Sequence, residues 1–176
     1  MSKSITREVF DDVVTITFDQ EDSIANVFNE DMFAELDDHL GFIEDHQGDF
    51  RGVIFKSAKP SIFIAGADLK SFADDPTKER ISYLIKLGQQ TFNRIEDLRI
   101  PTVAAIHGAC LGGGYELALA CDHRVATLDS ATKIGLPETM LGILPAWGGS
   151  TRLPRMIGIA GAMGIILAGK VVVPKL

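Results

Sequence analysis

Cysteine is nearly absent. The chain of 176 residues has two, Cys110 and Cys121, both inside one apolar stretch. Two thiols without ligand spacing make neither a disulfide framework nor a zinc site. They read as buried, reduced, core-filling side chains. The four histidines, His39, His46, His107 and His123, also lack ligand spacing, so no metal is expected. His39 and His46 fall on the polar side of a predicted helix and read as solvated. His107 ends a predicted strand and reads as structural. Positive charge is short as well: 17 basic residues against 24 acidic ones give a net charge of −7. That excludes nonspecific binding to nucleic acid or anionic membranes, which needs a basic surface. A phosphorylated small molecule needs only a local basic patch and stays open. Long apolar runs are missing too. None approaches the roughly 20 residues of a membrane span, and the N-terminal "MSKSITREVFDD" has no apolar signal core. A reducing, cytoplasm-like compartment is expected.

What is present suits one domain. The length is enough for a real core and short for two, and 46% hydrophobic residues supply the material. "SITREVF" and "VVTITF" flank Asp11-Asp12 as a hairpin, the second run alternating in strand fashion. Residues 29–46 switch to helical period, with Met32, Phe33, Leu36, Leu40 and Ile43 on one stripe and Asn29 as N-cap. "FRGVIFKSA" is a buried strand, followed by the loop "KPSIFIAGADLKSFADDP". A second amphipathic helix runs from about Lys78 to Leu98 and is ended by Pro101. "TVAAIHG" is another buried strand. "HRVAT" and "TKIGL" are short strands, "PETMLGILPAWGGSTRLPRMIG" reads as irregular, and "GAMGIILAG" as a glycine-weakened helix. Strands alternating with helices predict an α/β arrangement with buried, largely parallel strands.

The chemistry concentrates at "GACLGGGYELALACD", residues 108–122. A strand ends, three consecutive glycines turn the chain, and an apolar helix begins. Helix N-termini carry unpaired N–H groups and a positive dipole end, and glycine lets a ligand approach the backbone. A phosphate loop is excluded because no lysine follows the glycines, and a dinucleotide fingerprint because the glycines are not spaced. A second small-residue turn, "IFIAGADLK", follows the earlier strand around Gly66. Two such turns giving one N–H each suit a single developing oxyanion. Glu116 stands in the first turn of the apolar helix, either as a cap or as an acid-base group. Glu138 lies 22 residues on in "LPETMLG". If the two meet, their titrations are pushed apart, and the pair is able to hold a water and move its protons. Ser57, Ser61 and Ser150 lack a nucleophile-elbow context.

"IAGADLKSF", "AAIHGACLGGGYELALACDHRVAT" and "GLPETMLGILPAWGGSTRLPRMIG" together resemble the three signature blocks of the crotonase (enoyl-CoA hydratase/isomerase) superfamily, within it the hydratase domain of the multifunctional fatty-acid oxidation α subunit. The resemblance covers nearly the whole chain. It implies an α/β fold of ClpP/crotonase type: repeated ββα units, with two roughly perpendicular sheets surrounded by helices. It implies an enoyl-CoA hydratase of fatty-acid β-oxidation, with coenzyme A arriving as part of the substrate and no metal. The amides of Ala67 and Gly113 would form the oxyanion hole. Glu116 would activate the water that attacks C3, and Glu138 would exchange a proton at C2. Ile64, Ala65, Gly66, Asp68, Leu69, Lys70 and Gly112 would line the coenzyme A and thioester path, Lys70 as a phosphate partner or as a plain surface lysine. "PAWGG" departs from the family's "PGxGG"; Trp147 lines the acyl pocket or simply packs. Residues 1–176 read as one hydratase domain, truncated at its C-terminus, without the trimer-forming helices and without any dehydrogenase domain. A trimer-based homo-oligomer or a fatty-acid oxidation complex is implied for the longer parent. Double-bond isomerisation on the same scaffold, or a noncatalytic acyl-CoA-binding module, are the alternatives.

Overall fold

The computed structural model describes residues 3–175, the side chain of Phe72 excepted. The chain opens on the expected hairpin. β1 (Ile5–Phe10) pairs antiparallel with β2 (Val13–Phe18). Asp11 and Asp12 both take positive φ, 49° and 59°, as a tight hairpin turn whose twist matches its strands demands. The alternation in β2 buries Val14, Ile16 and Phe18 on one face. α1 (Glu30–Asp45) is capped by Asn29, whose side chain accepts from the Met32 amide at 2.8 Å. All five residues of its predicted stripe are buried.

The remaining elements repeat a pattern. β3 (Gly52–Ser57) and β4 (Ile62–Ile64) lead into α2 (Leu69–Asp74) and α3 (Lys78–Glu96). β5 (Thr102–Ile106) and β6 (Ala109–Leu111) lead into α4 (Gly113–Ala120). β7 (His123–Ala126) and β8 (Lys133–Gly135) lead through a 3-10 turn, Glu138–Leu141, into α5 (Gly149–Ile166). Each of these three units gives its first strand to a five-stranded sheet, order β1-β2-β3-β5-β7, and its second to a three-stranded sheet, order β4-β6-β8. Every pairing except β1–β2 is parallel. Crossing from one sheet to the other within each unit sets the residue after each short second strand at the edge of a helix start. That is where the site residues fall.

Four sequence expectations are corrected. The segment read as a loop after β3 contains β4 and α2, and the strand read as ending at Gly108 is followed by β6 in the other sheet. At three residues each, β4 and β6 carry too little alternation to stand out. The second part of the stretch read as irregular up to Gly158 is helix: α5 starts at Gly149, runs through Pro154, and bends at Gly158, where φ is 78° and ψ 157°. Burial of Gly149, Arg152, Leu153, Ala162, Ile165 and Ile166 outweighs the local glycine and proline signals. His39 is half-buried rather than solvated. Its Nδ1 lies 3.3 Å from Arg7 Nη1 and its Nε2 3.4 Å from the Ile5 carbonyl, and burial holds its pKa below the usual value. His46 is exposed as expected. His107 is structural, its Nε2 2.5 Å from the Lys59 carbonyl.

The core centres on aromatic rings. Phe28, Phe33, Phe92 and Trp147 meet with centroids 4.9–6.0 Å apart, mostly edge-to-face, the arrangement the ring quadrupole favours. This cluster lies directly behind the glycine turn of α4. Among the described residues, no helix is long and apolar enough to cross a membrane.

Candidate active site

The two small-residue turns stand side by side. β4 pairs with β6, Ile64 opposite Cys110, so the residues after both strands emerge together. A Cβ on Gly66 would lie 3.8 Å from the Gly113 nitrogen and 3.9 Å from the Gly112 Cα. A Cβ on Gly114 would strike the Ile64 carbonyl oxygen at 2.3 Å. At 114 only glycine allows this approach. Gly66 and Gly112 also need positive φ, 109° and 52°, which L side chains rarely adopt.

The backbone there is left with two unpaired donors. Ala67 bridges Phe28 in parallel: the Phe28 amide donates to Gly66 O and the Asp68 amide to Phe28 O, both at 2.8 Å. Such a bridge uses the neighbours of Ala67 and turns its own N–H to the opposite side. Gly113 is the first residue of α4 and has no carbonyl one turn earlier. Among the described residues neither amide donates a hydrogen bond to protein. The other loop residues divide. Asp68 caps α2, accepting from the Lys70 amide and the Ser71 hydroxyl at 3.0 Å each. Ile64 is buried, while Ala65, Leu69 and Lys70 are exposed.

Glu116 is 2% exposed. The burial follows from its place in α4, whose residues from Leu117 to Ala120 are also all buried. It does not cap its own helix. Its Oε1 instead accepts from the amides of Trp147 and Gly149, each at 2.8 Å. Gly149 sits tight against this side chain: a Cβ there would lie 3.0 Å from Glu116 Cγ. Burial raises the Glu116 pKa to about 7; the two amides and Arg152 pull against this, and the Glu138 charge adds to it. Glu138 opens the 3-10 turn and is 9% exposed. Burial raises its pKa too. Its Oε2 is buried and, among the described residues, has no hydrogen-bond partner. Its Oε1 would lie 2.9 Å from a Cβ on Gly112. The structure therefore brings Glu116, Glu138, Gly112, Gly113, Gly66 and Ala67 together. An unpaired buried carboxyl oxygen is costly unless something else occupies it. Two amides with no acceptor beside two acids of raised pKa are able to polarise a carbonyl and move protons next to it.

Trp147 packs. The residue is 4% exposed and its ring sits in the aromatic core, Nε1 donating to Leu84 O at 3.2 Å. Three supporting residues escaped the sequence reading. Asn26 is fully buried and donates to Phe18 O, Ser57 Oγ and Phe63 O while accepting from the Gln20 amide. It ties β2, β3 and β4 just ahead of Gly66. Phe28 supplies the bridge that orients Ala67. Arg152 binds Glu96 and Asn93 on α3 and donates to Trp147 O at 3.0 Å. Single polar or aromatic residues in apolar surroundings give no pattern from which such roles are read. Among the described residues, no group of three or more His, Cys, Asp and Glu is placed to hold a metal ion.

Paired strands split between two sheets and wrapped by helices are the crotonase fold, as solved relatives bear out. The structure matches an enoyl-CoA hydratase from Bacillus anthracis with a TM-score of 0.89 at 36% identity, covering 97% of this chain and 65% of that one. It matches an enoyl-CoA hydratase from Thermoplasma volcanium with a TM-score of 0.87 at 29% identity, covering 98% and 66%. The family described as enoyl-CoA hydratase/isomerase matches residues 8–175, and the chain belongs to it. A curated relative, the fatty acid oxidation complex subunit alpha of Aliivibrio fischeri, is 45% identical over 163 residues. The match takes in 93% of this chain but 24% of that protein, so the chain spans about a quarter of the relative's length.

Proposed function

We propose that this chain adds water across the 2,3 double bond of a 2-enoyl-CoA thioester. The thioester oxygen accepts from the amides of Ala67 and Gly113. Glu116, ionised, takes a proton from water as the water oxygen bonds to C3. The electron pair of the double bond moves onto the thioester, whose oxyanion the two amides stabilise. Glu138, protonated, gives its proton to C2. One water is consumed, a 3-hydroxyacyl thioester forms, and the two carboxyls exchange a proton to reset.

The observation that carries this reading is that, among the described residues, two unbonded amides and two buried carboxyls gather where three turns meet. The raised pKa values support it from both sides. A value near 7 lets Glu116 act as a base close to neutrality, and the upward shift at Glu138 favours the protonated donor. Losing one such amide typically costs about 3 kcal/mol of transition-state stabilisation. Coenzyme A would pass the segment 64–70, with exposed Lys70 at hand for a phosphate. Two buried free thiols suit a reducing cytoplasm. In a longer parent chain, a complex-bound assembly would accord with the name of the fatty acid oxidation complex relative, and a trimer-based one with the family resemblance.

The isomerase reading keeps one observation of its own. Among the described residues Glu138 Oε2 has no partner, and a single carboxyl is enough to carry a proton between C2 and C4. The deciding experiment is hydration of crotonyl-CoA and of a longer 2-enoyl-CoA, alongside isomerisation of a 3-enoyl-CoA. Hydration that is lost in both Glu116→Gln and Glu138→Gln supports the proposal. Isomerisation that survives Glu116→Gln with no hydration in the wild type favours the isomerase. Ligand binding with no turnover in either assay overturns both.

A further inference from the structure

We infer that the indole of Trp147 is a positioning element of this site, a plate held between Gly88 of α3 and Gly113 of α4 that fixes where the Gly113 amide and the Glu116 carboxylate stand. The inference rests on the functional reading above for its kinetic consequences, and on geometry alone for the rest.

The ring touches both helices at their α-carbons. A Cβ on Gly88 would lie 2.4 Å from Trp147 Cδ1 and Nε1. A Cβ on Gly113 would lie 2.3 Å from Trp147 Cζ3. Indole is long enough to span the gap, pyrrole edge on α3 and benzo edge on α4. Gly88 stands inside a 19-residue helix, where glycine costs about 1 kcal/mol relative to alanine. The ring supplies the reason for that glycine.

The same residue is held elsewhere too. Its Nε1 donates to Leu84 O, its amide donates to Glu116 Oε1, and its carbonyl accepts from Arg152 Nη1. Phe28, Phe33 and Phe92 close around the ring. Phe28 also approaches Gly113, 3.5 Å from where its Cβ would be, and bridges Ala67. One packed unit thus backs both unpaired amides and one of the two carboxyls. The charged groups facing Glu116 are Glu138 from the 3-10 turn and Arg152 from α5, the latter paired with Glu96 of α3. A shift of the ring moves the Glu116 oxygen relative to both.

The test uses three variants of the whole chain. Trp147→Phe keeps an aromatic ring but empties the benzo end against Gly113. Gly88→Ala pushes the indole from the other side. Gly88→Ala in a Trp147→Leu background puts the methyl where no ring stands. The first two are expected to lower kcat on crotonyl-CoA by on the order of tenfold to a hundredfold, with KM little changed and the acid limb of the pH profile displaced. The Gly113 amide shift in nitrogen–proton NMR spectra, and the titration midpoint read at the Gly149 amide, are expected to move in both. In the Trp147→Leu background the Gly88 change is expected to add nothing. Folded variants with unmoved Gly113 and Gly149 signals overturn the inference, as does a loss that only follows the folded fraction, or a Gly88 effect that persists without the indole. Should Gly88→Ala fail to fold, Trp147→Phe decides by the same signals. A wild-type chain without turnover would sink the proposed function, and the two amide signals would still decide this inference.

Discussion

Glu138 rests against Gly112. Its Oε1 lies 2.9 Å from the point where a Cβ on that glycine would stand, in the turn that leads directly to the Gly113 amide. The contact joins the 3-10 turn after β8 to the start of α4. A side chain at 112 would have to push that carboxyl aside, and the φ of 52° there already selects glycine. Gly112→Ala is therefore expected to displace the Glu138 carboxyl and to cut hydration by at least on the order of a hundredfold, while thermal melting falls by only a few degrees. Comparing the kcat of refolded protein with its melting curve separates the two effects.

The carboxyls are expected to act as a unit. Glu116→Gln and Glu138→Gln should each lower kcat by roughly 10²–10⁴-fold. The double variant should lose far less than the product of the two. Steady-state hydration of crotonyl-CoA measures all three, and strict multiplication of the losses would mean the residues work independently.

The pH dependence has a definite sign. The pKa of Glu116 rises from 4.5 to about 7 on folding. A carboxyl raised in this way stabilises the fold below its unfolded value and loses that contribution as pH climbs through the folded one. Across this window the wild type should lose roughly 3 kcal/mol, at about 1.4 kcal/mol per unit. Glu116→Gln keeps an oxygen to accept from Trp147 and Gly149 without the charge. It should melt above the wild type at pH 8, with the gap closing towards pH 4. The wild-type kcat/KM should rise through an acid limb near 7. Melting curves and initial rates from pH 4 to 9 check both.

Asn26 should prove a stability residue with a reach into the site. Its side chain makes four hydrogen bonds at zero exposure. Asn26→Ala strands several buried partners and should cost roughly 3 kcal/mol or more by denaturant unfolding. The segment 64–67 hangs from the same bonds, so KM for crotonyl-CoA should rise in the fraction that remains folded.

Much of this site was legible in the sequence, and the reasons differ by residue. Glu116 stood out because a carboxylate in an apolar helix has no solvent to justify it. Gly66 and Gly112–Gly114 stood out because consecutive small residues after a strand leave donors bare. The stripe of α1 and its Asn29 cap obey strong local rules, and both are found in place. Two strands of the three-stranded sheet were missed, because Ile62–Ile64 and Ala109–Leu111 are too short to show a period; only its third, Lys133–Gly135, was read, within "TKIGL". The helix through Pro154 was hidden for the opposite reason: local signals argued against it, and burial on Leu119 and Leu136 prevailed. Nothing local marks Asn26 or Arg152, whose partners lie up to 37 and 59 residues away. Such roles arise only when distant segments meet.

The repeated units place Ala67 in one, Gly113 and Glu116 in the next, and Glu138 in the last. No single unit holds a working fragment of the pocket. Under the proposed function, turnover would report completed assembly of the chain: a nick between units that let them drift apart would silence catalysis without touching any of these four residues, and during refolding the return of activity would trail the return of helix.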